Sequence, residues 1–453
     1  MSLLTSHLDL IAPWLGSQRW FASKGRLPEL QLIGSWQLPA ADARIHTHLI
    51  MDHSGAEPVL YQVPVTERDE PLTGSDAALI GHYPDGDGSV YLYDGPHDPA
   101  YAEALLRMIT SNSTATSEGA DAVGLAFGDV DVSAILASKV LTGEQSNTSI
   151  IYQVTTSTGP LRVICKVFRA LHDGENPDVV LQSAIAAAGS TSVPHSIGSV
   201  VGEWDDIGQT RGRAKGHLAF AQEFLAGAED AWRSALRASE AGIDFTASAH
   251  ALGVVTAEVH RTLAESFGTR PPSPSDIAET LSSWQARLQL AINEVPAIAE
   301  LRDVIEKLYA TVGSLDWPAL QRIHGDYHLG QVLLADGHWI LLDFEGEPMR
   351  PMLERSRPDF ALRDVAGMLR SLDYVAGSLG STEQAAAWTS AARRAFLSGY
   401  IEESGTDLRA HRELLDAFEM DKAVYEAVYE ARNRPDWLPI PLSALHRLAT
   451  RRR

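Results

Sequence analysis

Apolar residues in the stretch 3–15, LLTSHLDLIAPWL, recur at helical spacing and predict a short amphipathic helix. Gln18-Arg19-Trp20-Phe21 and Lys24-Gly25-Arg26 follow it. The pattern then turns to alternation, and RIHTHLIMD at 44–52 and VLYQVPV at 59–65 read as strands. Residues 1–88 are therefore expected to form a small α+β unit. PAYAEALLRMIT at 99–110 returns to helical spacing. The stretch from Ser111 to Ala122 is rich in Ser, Thr and Gly and reads as a loop, which makes 89–125 an intermediate helix and linker.

A β-rich block is expected over 126–225. Its alternating runs are SKVLT, TSIIYQVT and LRVICKVF, followed by a helix over 177–188 and a strand in HLAFAQEFL. The order suits a five-stranded sheet with one helix. Helical periodicity dominates 226–453, with candidate helices at 247–265, 276–294, 297–313, 359–378, 383–403 and 408–433. One hairpin interrupts them, QVLL and WILLDF around an Asp336-Gly337 turn. No internal repeat or low-complexity tract is present.

Composition narrows the class. A chain of 453 residues, 45% hydrophobic, is too long for one small core, so two or three packed units are expected. The charged fraction of 21% and the 10 Trp suit ordinary globular folding. A formal net charge of -22 repels nucleic acid and anionic membranes, so neither is an expected partner. The basic run Arg451-Arg452-Arg453 is too short to change that. Cys165 is the sole cysteine, which excludes an intrachain disulfide, reads as a buried hydrophobe and fits a reducing cytoplasm. The first 14 residues carry an acid early and no basic run, unlike a signal peptide. No stretch reaches the ~18–20 apolar residues that span a bilayer. A cytoplasmic monomer is the expectation.

The strongest chemical signal is IHGDYHLGQVLL…WILLDFEGEP at 323–348. Phosphoryl transfer of the kinase type needs a carboxylate beside the attacking hydroxyl and two groups that hold Mg²⁺ on the phosphates. Asp326 sits on a loop after a short apolar strand, Gln331 follows five residues on, and Asp343 ends the second strand of the hairpin. The turn would bring Asp343 back towards Gln331. Asp326 is then the candidate base, and Gln331 and Asp343 are candidate ligands through hard oxygens. An isolated His-Gly-Asp would merely cap a turn. Glu345 and Glu347 can be read as further ligands or as structural groups.

Upstream, the loop Thr142 to Thr148 joins two strands, and Gly143, Gln145, Ser146 and Asn147 could lay backbone N–H groups over phosphates. It matches neither G-x-G-x-x-G nor the Walker pattern, and a plain hairpin turn is the simpler reading. Lys166 strengthens the functional one. It lies in mid-strand on the face of Arg162 and Ile164, where an unpartnered cation is rare, and it would meet the α/β-phosphates. Kinases pair this Lys with a Glu on the following helix. That helix has none here, and Glu175, just before it, is the available substitute. Gln222 to Leu225 ends the last strand, where Glu223 and Leu225 would offer backbone groups to adenine and where closure over the nucleotide would hinge, near 222–228.

In the helix over 421–432, Lys422, Tyr425, Glu426 and Tyr429 share one face, with Ala423, Ala427 and Val428 opposite. Rings and charges on one stripe suit a sugar. An ordinary amphipathic helix with a Lys–Glu pair, contributing ~0.3 kcal/mol, would look the same.

With these segments in hand, the sequence resembles the actinobacterial maltokinases over nearly its whole length. QRWFASKGR, LYQVPV, GEQSNTS, NPDV, AGAEDAW, HGDYHLGQVLL, LLDFEGEP, RDVAGMLRSLDY, DKAVYEAVYEARNRP and WLPIPLSAL stand in that family's order. The resemblance implies an α+β chain. A small N-terminal cap domain precedes a bilobal protein-kinase-like fold, with its β-rich N-lobe at 126–225 and its helical C-lobe at 226–453. It implies the conversion of ATP and maltose to ADP and maltose 1-phosphate with Mg²⁺. A maltosyltransferase would use that product for α-glucan (glycogen) synthesis, downstream of a trehalose synthase that is a potential partner. It assigns Asp326 as base, Gln331 and Asp343 as metal ligands and Lys166 as phosphate ligand. Lys422, Tyr425 and Glu426 become sugar contacts, with Arg370, Asp373 and His324 as weaker candidates. The absent Glu partner of Lys166 is the departure. Two other readings stay open: a kinase of another sugar or amino sugar such as glucosamine, or a non-catalytic module docked on trehalose synthase.

Overall fold

The computed structural model describes residues 3–86, 88–117, 119–128, 130–142, 146–206, 212–347, 350, 352–380 and 382–450. The chain divides into two compact units, Met1–Ser183 with Pro194–Ala226, and Ala184–Val193 with Gly227–Arg453.

The first unit opens with α1 (Leu3–Leu15) and an antiparallel sheet of β1 (Leu30–Leu38), β2 (Arg44–Asp52), β3 (Val59–Arg68), β4 (Leu79–Asp85) and β5 (Gly88–Asp94), ordered β1-β2-β3-β5-β4. The sheet runs on to Asp94, so a boundary at 88 falls at the start of a strand. β2 and β3 are almost continuously buried, because both faces are covered, and this mutes the alternation of exposed positions. α2 (Pro99–Thr110) begins with Pro99 in its first turn and the Asp98 side chain accepting from Ala100 N.

A second sheet follows: β6 (Thr114–Thr116), β7 (Ala120–Ala126), β8 (Val132–Val140), β9 (Asn147–Thr156) and β10 (Gly159–Phe168). After the short β11 (Ala170–Leu171) and α3 (Pro177–Ala187) come β12 (Ser196–Asp205) and β13 (Arg213–Glu223). The order is β6-β7-β12-β13-β10-β9-β8, with β11 added to β3 of the first sheet. The stretch read as a linker is thus partly strand. Small residues such as Ala120 and Ala122 are fully buried in it, so it packs without the bulky apolar signal of a strand. Arg169, fully buried just after β10, donates to both carboxylate oxygens of Asp94 at 2.8 Å and to Thr148 Oγ1 at 2.8 Å. It thereby ties the two sheets together.

The second unit carries β14 (Glu229–Asp230), α4 (Ala231–Glu240), α5 (Thr246–Phe267), α6 (Pro274–Glu294) and α7 (Arg302–Val312). It continues with β15 (Leu320–Gln321), the hairpin β16 (Val332–Ala335) and β17 (His338–Leu341), α8 (Met352–Arg355) and β18 (Asp359–Phe360). It ends with α9 (Leu362–Ser378), α10 (Glu383–Ser404), α11 (Arg412–Asn433) and α12 (Pro439–Thr450). A capping box of Ser273 and Asp276 starts α6. Asp336 and Gly337 both have positive φ, 49° and 82°, as a two-residue hairpin turn of the primed type requires. α9 is buried on nearly every side, from Leu362 to Ala376, and α11 packs beside it. No helix among the described residues is long and apolar enough to cross a membrane.

Candidate active site

The loop between β15 and β16 is held from below by a buried carboxylate. Asp364, in the first turn of α9, accepts from His324 N at 2.8 Å and Gly325 N at 2.9 Å, and His260 Nε2 lies 3.0 Å from the same group. Burial alone would raise the Asp364 carboxyl, but these partners hold it below its ordinary value. Gly325 has φ 88°, and a Cβ there would come 3.3 Å from Gly346 Cα. Only glycine allows this left-handed turn and close approach together. The side chain of Asp326 projects from the braced loop into a cavity of about 480 Å³.

Gln331 and Asp343 meet across the base of the hairpin. Gln331 O accepts from Leu342 N at 2.9 Å, and Gln331 Nε2 donates to Asp343 Oδ2 at 3.1 Å. Asp343 itself has φ 61°, a left-handed conformation uncommon for Asp and often kept where function requires it. An amide and a carboxylate bring hard oxygen donors to one place, a donor set that fits Mg²⁺.

On α11, Ala423, Ala427 and Val428 are buried, while Lys422, Tyr425, Glu426 and Tyr429 line the cavity. Lys422 Nζ lies 3.2 Å from Asp326 Oδ1 and 2.6 Å from Glu347 Oε1, with the Tyr425 ring 4.8 Å away. Burial pulls the Lys422 ammonium down, yet Glu347 and Asp326 outweigh it and hold the group above its usual value. Trp232, Tyr374 and Trp437 add further aromatic wall.

Three expected sugar contacts fall elsewhere. His324 is 2% exposed, with Nε2 2.8 Å from Leu342 O and its ring 4.5 Å from Phe344, so it braces the loop instead of facing the cavity. Arg370 is fully buried behind the cavity wall, where it donates to Glu426 Oε2 at 2.7 Å and Asp373 Oδ2 at 2.7 Å. Asp373 is held in turn by Arg393 and Arg447 and does not line the cavity either. Helical spacing gives a residue's face but not its depth.

In the first unit, Lys166 lies between Cys165 and Val167, both fully buried, and points to the opposite face of β10. Its Nζ donates to Asp178 Oδ2 at 2.8 Å. An Asp in the first turn of α3 thus pairs with the Lys of the strand. The segment NPD carried the signal: an acid one residue inside a helix that follows the Lys strand. Asn147 begins β9 opposite Phe168, and Ser146 precedes it. Gly143 and Gln145 lie outside the described residues. At the end of β13, Glu223 N donates to His195 O and Phe224 N to Arg162 O, with Leu225 next in the chain. Sequence reasoning also passed over Asp364 and His260, and left Glu347 undecided.

A braced carboxylate and a Gln–Asp pair in the second unit, and a half-buried Lys–Asp pair in the first, are residue types that kinase-type phosphoryl transfer uses. Residues 139–414 match the phosphotransferase enzyme family and residues 14–98 match the maltokinase N-terminal cap domain. The chain belongs to the phosphotransferase enzyme family and carries that cap. It is 29% identical over 321 residues to a glucosamine kinase of Streptacidiphilus jiangxiensis, covering 66% of this chain and 70% of that one. It is 28% identical over 403 residues to a glucosamine kinase of Mycolicibacterium smegmatis, covering 83% and 94%. The solved structure of a glucosamine kinase in complex with glucosamine, ADP and inorganic phosphate has the same fold. Its TM-score is 0.68 at 23% identity, over 97% of this chain and 98% of that one.

Proposed function

We propose that this chain transfers the γ-phosphoryl group of ATP to the anomeric hydroxyl of a neutral sugar, with maltose as acceptor and maltose 1-phosphate as product. The observation that carries the choice of a neutral sugar is charge pairing in the cavity. Among the described residues, its three carboxylates each have a cation: Asp326 has Lys422 at 3.2 Å, Glu426 has Arg370 at 2.7 Å and Glu430 has Arg434 at 2.7 Å. An ammonium group would have to compete with these partners, whereas hydroxyls and ring faces suit the Tyr and Trp wall. The maltokinase cap supports the same acceptor.

In this reading Asp326 accepts the proton as the anomeric oxygen attacks γ-phosphorus and the bond to ADP breaks. Lys166, steadied by Asp178, meets the α/β-phosphates, and Glu223 and Leu225 offer backbone groups to adenine. Gln331 and Asp343 would hold Mg²⁺, which when bound offsets phosphate charge. Lys422, Tyr425 and Tyr429 orient the sugar.

A second reading, an amino-sugar acceptor, is favoured by the two relatives named glucosamine kinase. Product analysis separates the two. Phosphorylated maltose that has lost its reducing end supports the first reading, and a product formed only from glucosamine replaces it with the second.

A further inference from the structure

Glu347 lies four residues beyond Asp343, next to the glycine that packs against the base loop. It is 2% exposed, and its Oε2 is buried without a hydrogen-bond partner among the described residues. Leaving such an oxygen unsatisfied is costly, and more so for a charged group. A carboxylate kept at that cost is a functional candidate. Its other oxygen, Oε1, sits 2.6 Å from Lys422 Nζ, closer than Asp326 at 3.2 Å.

We infer that Glu347 is a positioning residue, which anchors the Lys422 ammonium so that Asp326 keeps an oxygen free for the substrate hydroxyl. The inference rests on the reading of Asp326 as base. With Glu347 in place, one cation joins the base loop, the turn after Asp343 and the sugar-facing helix α11. Without it, the whole ammonium falls to Asp326 and occupies the proton-accepting group. The surroundings keep Glu347 ionised: burial pushes its carboxyl up, but Lys422, Arg363 on α9 and Arg287 on α6 bring it down to about 2. Arg287 also pairs with Asp421, and Glu426 adds a further negative charge near Lys422.

The test uses the full chain with ATP, Mg²⁺ and maltose or glucosamine, whichever the wild type phosphorylates. Glu347→Gln should lower kcat roughly tenfold or more with the KM for ATP unchanged. It leaves the Lys422 charge undivided on Asp326, so the acid limb of kcat/KM moves to lower pH. Lys422→Met removes the cation and leaves Glu347, so the limb moves to higher pH. A merely structural role would not move the two in opposite directions. The Asp326 carboxyl carbon resonance, assigned by its absence in Asp326→Asn, reads the same midpoints without turnover. If Glu347→Gln does not fold, Glu347→Asp, which withdraws the carboxylate by one methylene, should shift the midpoint down by less. Midpoints that coincide with the wild type, or that move the same way, overturn the inference. An active Asp326→Asn overturns the base reading instead.

Discussion

Lys166 Nζ donates to Asp178 Oδ2 at 2.8 Å, which joins strand β10 to the first turn of α3. A shorter acid on the helix thus stands where kinases carry a Glu. Gln182 Nε2 donates to the other oxygen at 2.6 Å and fixes the carboxylate. Asp178→Asn should raise the KM for ATP by roughly tenfold or more, the scale of one hydrogen bond to a charged group. The KM for the sugar should stay within error. Initial-rate kinetics in both substrates checks this, and an unchanged ATP dependence would remove Lys166 from the phosphate site.

Asp326→Asn should lower kcat by roughly 10²–10⁴, the contribution of a positioned base. Calorimetric titration should show nucleotide affinity largely retained.

Arg370→Met should act on stability before it acts on substrate binding. Arg370 is fully buried and holds both Glu426 and Asp373, so its removal strands the half-buried Glu426 carboxylate and takes one of three cations from Asp373. A loss of ~3–5 kcal/mol is expected, readable in denaturant unfolding. Near-wild-type stability with a raised sugar KM would return Arg370 to the cavity.

Acid should weaken the cap through His48. This residue on β2 lies 3.0 Å from His7 of α1, and burial pushes its imidazole down to about 3. The unfolded chain binds the proton near pH 6.5, the folded chain only near 3, so the unfolded state holds more protons in between. Stability is complete above that window and falls by ~1.4 kcal/mol per pH unit as the pH drops through it. Thermal unfolding at pH 7 and about 5.5 should show a smaller pH effect in His48→Leu than in the wild type. Equal pH effects would mean that His48 is not the responsive group.

Elements with periodic apolar signals were legible: α5, α6, α10, α11 and the hairpin of β16 and β17 lie within a few residues of their expected spans. β6 and β7 were hidden by small and polar residues, and α4 and α12 were not anticipated. In the site, the hairpin that pairs Gln331 with Asp343 and the helical stripe of Lys422, Tyr425, Glu426 and Tyr429 were readable from turn chemistry and helical spacing. What the sequence withheld was depth and partnership. His324 and Arg370 are chemically suited to a sugar but lie too deep to touch one. Asp364 and Glu347 are ordinary acids in sequence, and only burial and a specific partner single them out.

The central claim is a neutral sugar acceptor, and ADP release with ATP and Mg²⁺ across maltose, glucose, trehalose, glucosamine and an aminoglycoside tests it most directly. The charge-paired cavity predicts turnover on maltose well above that on glucosamine. Turnover on glucosamine without maltose, or on none of them, would contradict it.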